Sequence, residues 1–258
     1  MTIAAALRKL LTSQPLSDLV SRGFRHDIPS RGARFRTNNT AIGSKTPAEL
    51  FFRLYERHEI ALIRTHMLTG LDVLELGAGI GVTGSHVLRR LDRGRRLVSV
   101  EANDALLPTL RSNLARHQGN HDVTVLHAAV SYSGSASVTL NHSPEHMTSR
   151  LGSPSAAEVA VPATTLGALV ERFGLDNYVL ISDIEGAESD VIIRDGRALE
   201  SCQQIIVELH GSASDITRML TSLAGLGFVV SAHRKTIYAF ERPVTRNVDR
   251  RNGAASRG

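Results

Sequence analysis

A glycine-rich segment in the first third of the chain has the residue types of a cofactor-binding loop. The apolar run DVLEL leads straight into GAGIG, and a helical pattern follows at about residues 82–92. Glycine lets a backbone turn sharply and approach a ligand closely, and the free N–H groups of the next helix point at an anionic group. The pattern predicts a nucleotide-type cofactor, whose expected contacts are Glu75, Gly77, Ala78, Gly79, Gly81 and Thr83.

An acid farther along the chain supports the same kind of cofactor. The next apolar run, LVSV, ends at Glu101, about 20 residues after the loop, where a carboxylate can accept hydrogen bonds from ribose hydroxyls. The third run, VTVLHAAV, contains Ala128 and Ala129. Two small side chains at that point let an adenine ring lie flat, although they suit plain packing of a helix on a sheet equally well.

Two kinds of cofactor fit the glycines. Residues Gly79–Gly84 match G-x-G-x-x-G, the fingerprint of dinucleotide sites. In such a site the fingerprint begins where the strand ends, whereas here it begins two residues after Gly77, and Glu75 precedes it. That carboxylate would repel a pyrophosphate, but it suits the ammonium and sulfonium of S-adenosylmethionine (SAM). The charges favour SAM, with S-adenosylhomocysteine (SAH) as product, and an NAD(P)-dependent oxidoreductase is the alternative.

Later strand ends carry groups that could move a proton. Asp183 follows the run VLIS, and the run IIVEL holds Glu208 and is followed by His210. Transfer of a methyl group to an alcohol needs aligned reactants and a base for the hydroxyl proton. Asp183 and His210 are the candidate catalytic residues, His210 because imidazole titrates near neutral pH. Asp183 is also expected to contact the cofactor at its methionine amine, or to position the substrate.

The same three residues could bind a metal. Asp183, Glu208 and His210 would offer oxygen and nitrogen ligands from neighbouring strand ends. The set is only weakly diagnostic, because magnesium prefers several oxygen ligands and keeps part of its water. We therefore expect no metal, with magnesium as the alternative, and we assign Glu208 to the substrate.

These residues need a scaffold that brings distant segments together. From Leu71 onward, short apolar runs alternate with helical patterns, which indicates βαβ units and a parallel sheet. Ligands of such sheets bind beyond the carboxyl ends of the strands, which is where the candidate residues fall. The last two runs, in GFVVSAHRKTIYAF, flank a basic turn and predict an antiparallel pair at the sheet edge.

The length of the chain fits a single α/β domain. It has 258 residues, and 42% of them are hydrophobic, which suffices for one well-buried domain with appendages. Residues 1–45 are expected to form an amphipathic helix that docks on the domain, followed by an irregular arm or lid. The cofactor-binding domain would span residues 46–241, with an insertion at about residues 131–164. Residues 242–258 contain five arginines and would be a disordered tail.

A capping pattern predicts a long helix before the glycine loop. Thr46 would be the N-cap and Glu49 the capping-box acid of a helix at about residues 47–67, with a proline at its first position. Tyr55 lies on this helix. Together with the N-terminal arm and the loop at residues 141–157, it is expected to form a wall of the acceptor site.

Composition argues against several classes of protein. The net charge of +5 comes from basic residues concentrated toward the two ends, and only 4% of residues are aromatic, which leaves little for stacking on nucleic-acid bases. A basic nucleic-acid-binding or RNA-methylating protein is therefore kept only as an alternative. The single cysteine, Cys202, excludes disulfides within the chain and fits a reducing cytoplasm. No apolar run approaches the roughly 20 residues that cross a bilayer.

The order of the motifs resembles that of one family. DVLELGAGIGV, LVSVEAN, HAAVSYSGSASVTL, VPATTLGALVERF, VLISDIEGAESDVI and IIVELH are similar to the FkbM-type SAM-dependent methyltransferases, over about residues 48–241. The most specific part is DIEGAE at Asp183–Glu188, which dehydrogenases do not share. The chain departs from the family's usual residues at Gly79, Ala102 and Ser182, where Asn, Pro and Lys are common.

The resemblance implies a fold and a reaction. The fold is the Rossmann-like α/β fold of class I methyltransferases, with a mostly parallel seven-stranded sheet in the order 3-2-1-4-5-7-6, an antiparallel last strand and helices on both faces. The reaction is O-methylation, mostly of small metabolites, sugars or glycans, as in secondary metabolism. Absent motifs agree with this, because the chain has neither the Asn/Asp-Pro-Pro-aromatic motif of base-amine methylases nor a Pro-Cys nucleophile.

Overall fold

The computed structural model describes residues 3–141, 150–151 and 158–243. The N-terminal segment contains α1 (Ile3–Leu11), α2 (Gln14–Gly23), β1 (Asp27–Ser30), β2 (Ala33–Arg36), α3 (Thr46–Phe51) and α4 (Arg57–His66). Strands and helices then alternate as β3 (Asp72–Leu76), α5 (Val82–Leu88), β4 (Arg96–Glu101), α6 (Leu107–Ala115), β5 (Asp122–His127), β6 (Ala129–Val130), β7 (Ser137–Asn141), β8 (Arg150–Leu151), β9 (Glu158–Thr164), α7 (Leu166–Phe173), β10 (Tyr178–Ser182), α8 (Glu188–Arg194), α9 (Gly196–Leu199), β11 (Cys202–Glu208), α10 (Ala213–Gly225), β12 (Val229–Arg234) and β13 (Ile237–Glu241).

Seven strands form the central sheet in the order β5-β4-β3-β10-β11-β13-β12. Neighbouring strands are parallel except where β13 pairs with β11 and β12. Numbered along the chain, this is the order 3-2-1-4-5-7-6, so the expectation from the family resemblance is confirmed. The antiparallel pair predicted near the C-terminus is confirmed as β12 and β13. Leu76 pairs with both Val100 and Ser182, so the carboxyl ends of the three middle strands lie level.

Helices cover both faces of this sheet, as expected. Successive side chains of a strand point to opposite faces. On one face Leu74 and Leu180 join a buried cluster with residues of α7 to α10, such as Leu169. On the other face Val73 and Val179 pack with residues of α4, α5 and α6. Because both faces are buried, the middle strands are apolar almost throughout instead of alternating with polar residues.

The helix predicted at about residues 47–67 is in fact two helices. α3 and α4 are separated by a break in which Arg53 and Glu56 have left-handed backbones, with φ of 59° and 41°. Apolar spacing continues through the break because Leu50 and Ile60 are buried in the same cluster. A periodic pattern therefore cannot distinguish one helix from two at this place.

Backbone hydrogen bonds turn the chain at the end of α3. The carbonyl of Glu49 accepts the N–H groups of both Leu54 and Tyr55, at 2.7 and 3.1 Å. These bonds compete with continuation of the helix, because in a longer helix the N–H groups of Leu54 and Tyr55 would donate to other carbonyls. The N-cap of α3 is Lys45, whose side chain makes no capping hydrogen bond, and Thr46 is the first helical residue instead of the predicted N-cap.

The segment after α1 is more regular than predicted. It contains α2 and the hairpin of β1 and β2, where the sequence indicated an irregular arm. Val20, Ile28 and Phe35 form a buried cluster with Ile80 of the glycine loop. The hairpin is hard to recognise in the sequence because each strand has four residues and buries only two of them fully.

Helix α1 is present as predicted, but two of its leucines face solvent. Leu7 and Leu10 are 53% and 64% exposed. The predicted docking of this helix on the domain is therefore wrong for these two side chains. Within the described residues, no helix combines the length and the apolar character needed to cross a bilayer.

The region predicted as an insertion contributes a second, smaller sheet. Its order is β6-β9-β7-β8, with β6 parallel to β9 and with β7 antiparallel to both β8 and β9. β6 follows β5 directly, so the small sheet extends from the carboxyl end of a central strand. Most of the predicted loop at residues 141–157 lies outside the described residues.

The residue that begins the predicted disordered tail is ordered. Arg242 donates hydrogen bonds of 2.6 to 2.9 Å to three backbone carbonyls, those of Leu199, Cys202 and Leu226. Its guanidinium also lies 4.4 Å from the centre of the Phe228 ring. Arg242 thus joins the loops around α9 and α10 to the end of β13, and the tail prediction fails for this residue. Residues 244–258 lie outside the described part of the chain.

We predict that Arg242→Ala lowers the free energy of unfolding by about 2–4 kcal/mol, because several hydrogen bonds from a charged donor and one cation–π contact are lost together. Arg197→Ala, at an exposed position of α9, is the matched control and should change it by less than about 0.5 kcal/mol. Chemical denaturation of the three proteins measures the difference. Equal values for Arg242→Ala and the parent chain would show that the disordered tail starts at residue 242 after all.

Candidate functional site

A cavity of about 650 Å³ lies at the carboxyl ends of β3, β4, β5 and β10. The segment from residue 43 to residue 56 and the loop at residues 183–187 form its other walls. The predicted site residues that line it are Tyr55, Gly77, Gly79, Glu101, Ala128, Ala129 and Asp183. Within the described chain, the predicted residues that do not line it are Glu75, Ala78, Gly81, Thr83, Glu208 and His210.

The glycine loop touches the loop after β10 through its backbone. A Cβ atom on Gly77 would lie 1.9 Å from the carbonyl oxygen of Asp183, and the φ of Gly77 is +82°. Any side chain would therefore clash with a backbone atom as well as strain the conformation. The N–H of Asp183 donates to the carbonyl of Leu76 at 3.0 Å, which ties the two loops together.

Two residues of the loop, Ala78 and Gly81, lead the chain into α5. The N–H of Ala78 donates to the carbonyl of Val100 at 3.1 Å, and the N–H of Gly81 donates to the carbonyl of Ala78 at 2.9 Å. These bonds hold the loop against β4 and turn it toward the helix. Neither residue lines the cavity, but both hold the glycine loop in the position in which it forms the cavity wall.

Glu101 lies at the cavity wall, at the end of β4, and is 8% exposed. Its carboxylate accepts the N–H groups of Gly79 and Asn103, each at 2.7 Å. Burial raises the pKa of Glu101, and these two hydrogen bonds counteract the rise. A carboxylate has about four lone-pair sites, so Glu101 can still accept hydrogen bonds from ligand hydroxyls.

Glu75 lies beneath the loop instead of in the cavity. It is 1% exposed, and the hydroxyl of Ser99 donates to it at 2.5 Å. A Cβ on Gly84 would lie 2.7 Å from the Glu75 carboxylate, so α5 packs directly against it. Burial raises the pKa of Glu75 to about 8. Glu75 therefore does not lie where it could contact the ammonium of a cofactor in the cavity, contrary to the prediction.

The sequence analysis missed an acidic pair beside the cavity. The hydroxyl of Thr83 lies 2.6 Å from Glu56 Oε2 and 2.9 Å from Glu59 Oε2. Glu56 lines the cavity, and Glu59 is buried behind it at 4% exposed. No residue pattern indicates this pair, because the left-handed backbone of Glu56 interrupts the helix on which both acids were expected.

A buried carboxylate organises the loop at residues 183–187 and holds His210. Glu188 is 1% exposed and accepts the N–H groups of Ile184 and Gly186, at 3.2 and 2.9 Å. It also lies 3.0 Å from Nδ1 of His210. This hydrogen bond raises the pKa of His210 to about 9 against the opposing effect of burial. The DIEGAE motif contains Glu188, but the sequence analysis assigned it no role.

Asp183 lines the cavity and also lies close to His210. Burial and the charges of Glu208 and Glu185 together raise its pKa to about 7, whereas His210 lowers it. Asp183 Oδ1 has no hydrogen-bond partner among the described residues. Polar atoms of Asp183 and His210 lie within 4.8 Å of each other, so the protonated imidazole supplies positive charge beside Asp183.

The possible metal ligands differ from the predicted set. Atoms of Asp183, Glu188 and His210 that could bind a metal lie within 4.8 Å of one another. Glu208 is not part of this set, although its Oε1 lies 4.0 Å from His210 Nε2, and it accepts the hydroxyl of Thr236 at 2.7 Å. His210, whose pKa is about 9, is protonated near neutral pH and cannot bind a metal in that state, so this set fits a hydrogen-bonded network better than a magnesium site.

Several solved structures are similar in fold to this chain. One is a protein of the NADB-Rossmann superfamily from Streptococcus agalactiae, with 12% identity, a TM-score of 0.44, and 71% of this chain and 67% of that chain covered. Another is fibrillarin from Aeropyrum pernix in complex with natively bound SAM, with 13% identity, a TM-score of 0.43, and 82% and 78% covered. A third is precorrin-6y C5,15-methyltransferase from Geobacter metallireducens, with 13% identity, a TM-score of 0.42, and 72% and 87% covered.

The family is identified by a different comparison. No curated protein matches the chain. The family described as the methyltransferase FkbM domain matches residues 75–230. That range contains the glycine loop, Glu101 and the loop at residues 183–187, which meet at the cavity. The match covers more than half of the chain, and the protein therefore belongs to the FkbM methyltransferase domain family.

Proposed function

We propose that this protein transfers the methyl group of SAM to a hydroxyl of a small metabolite, sugar or glycan. The observation that carries the proposal is the single cavity in which Gly77, Gly79 and Glu101 face Asp183. The first three form a surface for a nucleoside, and Asp183 offers a carboxylate to the acceptor. Family membership supports methyl transfer, which sets aside the alternative of an NAD(P)-dependent oxidoreductase.

The cavity suggests an orientation for the cofactor. Ala128 and Ala129 would bind the adenine, and Glu101 would accept hydrogen bonds from the ribose hydroxyls. Gly77 and Tyr55 would contact the methionine part. The transferred methyl group would face Asp183, on the side where the acceptor enters.

In the proposed mechanism, Asp183 removes the proton of the acceptor hydroxyl. The methyl carbon is already activated by the sulfonium, so the protein has to align the reactants and provide a base. Asp183, with a pKa raised to about 7, is a stronger base than an ordinary aspartate and is about half ionised near neutral pH. His210, with a pKa of about 9, is protonated near neutral pH and would first have to lose its proton. It remains the second candidate base, because a bound sulfonium would lower its pKa.

Glu208 and Tyr55 were expected to contact the substrate. Tyr55 lines the cavity, which supports that role. Glu208 lies beside His210 but does not line the cavity. Its proposed role is therefore to stabilise the protonated form of that histidine. No step of this mechanism requires a metal, and magnesium remains the alternative that the experiment below tests.

The charge of the cavity supports a small, uncharged acceptor over a nucleic acid. The acidic residues that line it are Glu49, Glu56, Glu101, Asp183, Glu185 and Asp190. Among the described lining residues, Lys45 is the only basic one. A polyanion would be repelled at such a surface, whereas a neutral or amine-bearing hydroxyl compound would not. The charge of the cavity therefore argues against the RNA-methylating alternative. For the location of the reaction we propose the cytoplasm, because the single cysteine fits a reducing compartment.

The proposal is tested by incubating the protein with methyl-labelled SAM and a panel of neutral sugars, amino sugars, glycans and hydroxylated metabolites, with RNA as a separate arm. Mass spectrometry follows the formation of SAH and locates the new methyl group. Methylation of a hydroxyl is the expected result. Labelling of RNA, or of nitrogen or carbon alone, would contradict the proposed acceptor class.

We predict that Glu101→Ala weakens SAM binding by roughly 10- to 100-fold, because one or two charge-assisted hydrogen bonds to the ribose are lost. Calorimetry with SAH measures the affinity. Glu171→Ala, an exposed residue of α7, removes the same charge at a distance and serves as the control. Unchanged affinity in Glu101→Ala would reject the ribose placement.

We predict that Asp183→Asn lowers kcat by about 10²–10⁴-fold, and that His210→Ala lowers it less, once an acceptor has been found. Because only the ionised carboxylate accepts a proton, the rate of the parent protein should rise with pH and level off above about 7. Asp176→Asn, an exposed aspartate after α7, is the control and should keep the full rate. Near-normal rates in both site variants would reject the base assignment.

We predict that EDTA leaves the rate unchanged, since no step of the mechanism uses a metal. The raised pKa of His210, about 9, also keeps this potential metal ligand protonated near neutral pH. The measurement compares initial rates with and without chelator, and again after magnesium is added. Activity that is lost in EDTA and restored by magnesium would replace the metal-free mechanism with a metal-assisted one.

A further inference from the structure

The hydroxyl of Thr83 lies between two carboxyl groups, and this arrangement requires a proton. Glu56 Oε2 is 2.6 Å and Glu59 Oε2 is 2.9 Å from Thr83 Oγ1, and both distances are those of hydrogen bonds. A threonine hydroxyl carries one hydrogen and can donate to one carboxylate only. The second contact is a hydrogen bond only if that carboxyl group is itself protonated and donates to Thr83. The Glu56/Glu59 pair therefore shares one proton when the cavity is empty.

The surroundings of the Glu56/Glu59 pair favour the same state. Burial is the main cause that raises both pKa values, that of Glu56 to about 7 and that of Glu59 well above its usual range. The charges of Asp183 and Glu208 raise the pKa of Glu56 further, and those of Asp183 and Glu75 raise that of Glu59. Hydrogen bonds from Thr83 and Tyr55 oppose the rise. Lys45 lines the same cavity but is not a main influence on either pKa. Two adjacent carboxylates in this setting cannot both stay ionised without a cation.

The position of Glu56 indicates which cation would serve. Glu56 lines the cavity together with Tyr55 and Gly77, while the adenine wall at Ala128 and Ala129 belongs to other strand ends. In the proposed cofactor orientation, the amino-acid end of SAM reaches Tyr55 and Gly77. That end carries an α-ammonium group, which donates three hydrogen bonds and matches a pair of carboxylates.

We propose that the Glu56/Glu59 pair binds the α-ammonium of SAM and releases its shared proton to solvent when the cofactor binds. The inference rests on the proposed SAM site and assigns to this pair the role that the sequence suggested for Glu75. Glu56, at the cavity surface, is the direct partner of the ammonium. Glu59 and Thr83 are positioning residues that store the proton while the cavity is empty.

Proton release makes cofactor affinity depend on pH in a defined direction. The pKa of the pair is high in the empty protein and falls when the ammonium is bound, so binding expels a proton. Affinity therefore rises with pH, by up to about tenfold per pH unit, while the empty pair holds its proton, and it levels off once the pair has ionised; the pKa of Glu56, the acid at the cavity surface, is about 7. The α-amino group of the ligand must stay protonated, so the useful range ends near about pH 7.5.

Calorimetry on the full chain measures the proton directly. SAH is titrated in phosphate and in imidazole buffer at about pH 6.5, and the difference between the observed heats gives the number of protons released. A value close to one is expected there, with a smaller value at about pH 7.5. A second ligand, 5′-methylthioadenosine, keeps the adenine, ribose and thioether but lacks the amino-acid part. It should bind without proton release.

Three variants separate the roles of the two acids. Glu56→Gln should weaken SAH binding by about 10- to 100-fold and abolish proton release, while the affinity for 5′-methylthioadenosine stays unchanged. Glu59→Gln should retain SAH binding and release a smaller fraction of a proton, because the neighbouring acid is gone while burial still raises the pKa of Glu56. Glu171→Gln, at an exposed site on α7, is the control and should behave like the parent protein. Unchanged binding of 5′-methylthioadenosine also shows that each variant is folded.

The outcomes distinguish this inference from the proposed function. If SAH binds the parent protein without releasing a proton at about pH 6.5, or if Glu56→Gln binds SAH as tightly as the parent, the Glu56/Glu59 assignment is wrong and the SAM site stands. If neither SAH nor SAM binds the parent protein at all, the proposed function itself fails.

Discussion

The close contact between the backbones of Gly77 and Asp183 governs the geometry of the whole site. A Cβ at residue 77 would lie 1.9 Å from the carbonyl oxygen of Asp183, so the loops after β3 and β10 can touch only because one of them has no side chain there. These strands are neighbours in the middle of the sheet. The loop that would hold the cofactor and the loop that carries the candidate base are thereby one unit, and Glu188 stiffens the second loop by accepting two of its N–H groups. Alignment of two reactants, the main requirement of methyl transfer, follows from this contact.

The N-terminal segment completes the site that the sheet begins. The hairpin and α2 bury Val20, Ile28 and Phe35 against Ile80 of the glycine loop, so this segment is packed onto the loop instead of lying over it as an irregular lid. The break between α3 and α4 brings Tyr55 and Glu56 to the cavity. A continuous helix would have carried these side chains past it. The left-handed backbone of Glu56 is a strained conformation of the kind that is retained where a side chain must be aimed at a ligand.

The charge of the site is opposite to the charge of the chain. The protein carries +5, yet carboxyl groups from four separate segments meet around the cavity. Burial raises the pKa of Glu56, Glu101 and Asp183, so that part of this negative charge is neutralised by protons in the empty protein. Such a site can exchange a proton for a cationic ligand, and it can accept a proton from a hydroxyl. Net charge alone would have suggested a polyanionic partner, because it averages over residues that the fold separates.

The sequence by itself determined the architecture and the most local parts of the site. Alternation of apolar runs and helical patterns indicated the parallel sheet, and the motif order indicated its strand order. The glycine loop, Glu101 and Asp183 could be placed at strand ends because each is adjacent in sequence to the strand that positions it. Only the tertiary structure decided the rest. Glu75 turned out to point beneath the loop, Thr83 joined two acids that lie 24 and 27 positions before it, and Glu188 met a histidine 22 positions away. These contacts depend on how α4, α5 and α8 pack against one another and against the sheet, and no local periodicity records such packing.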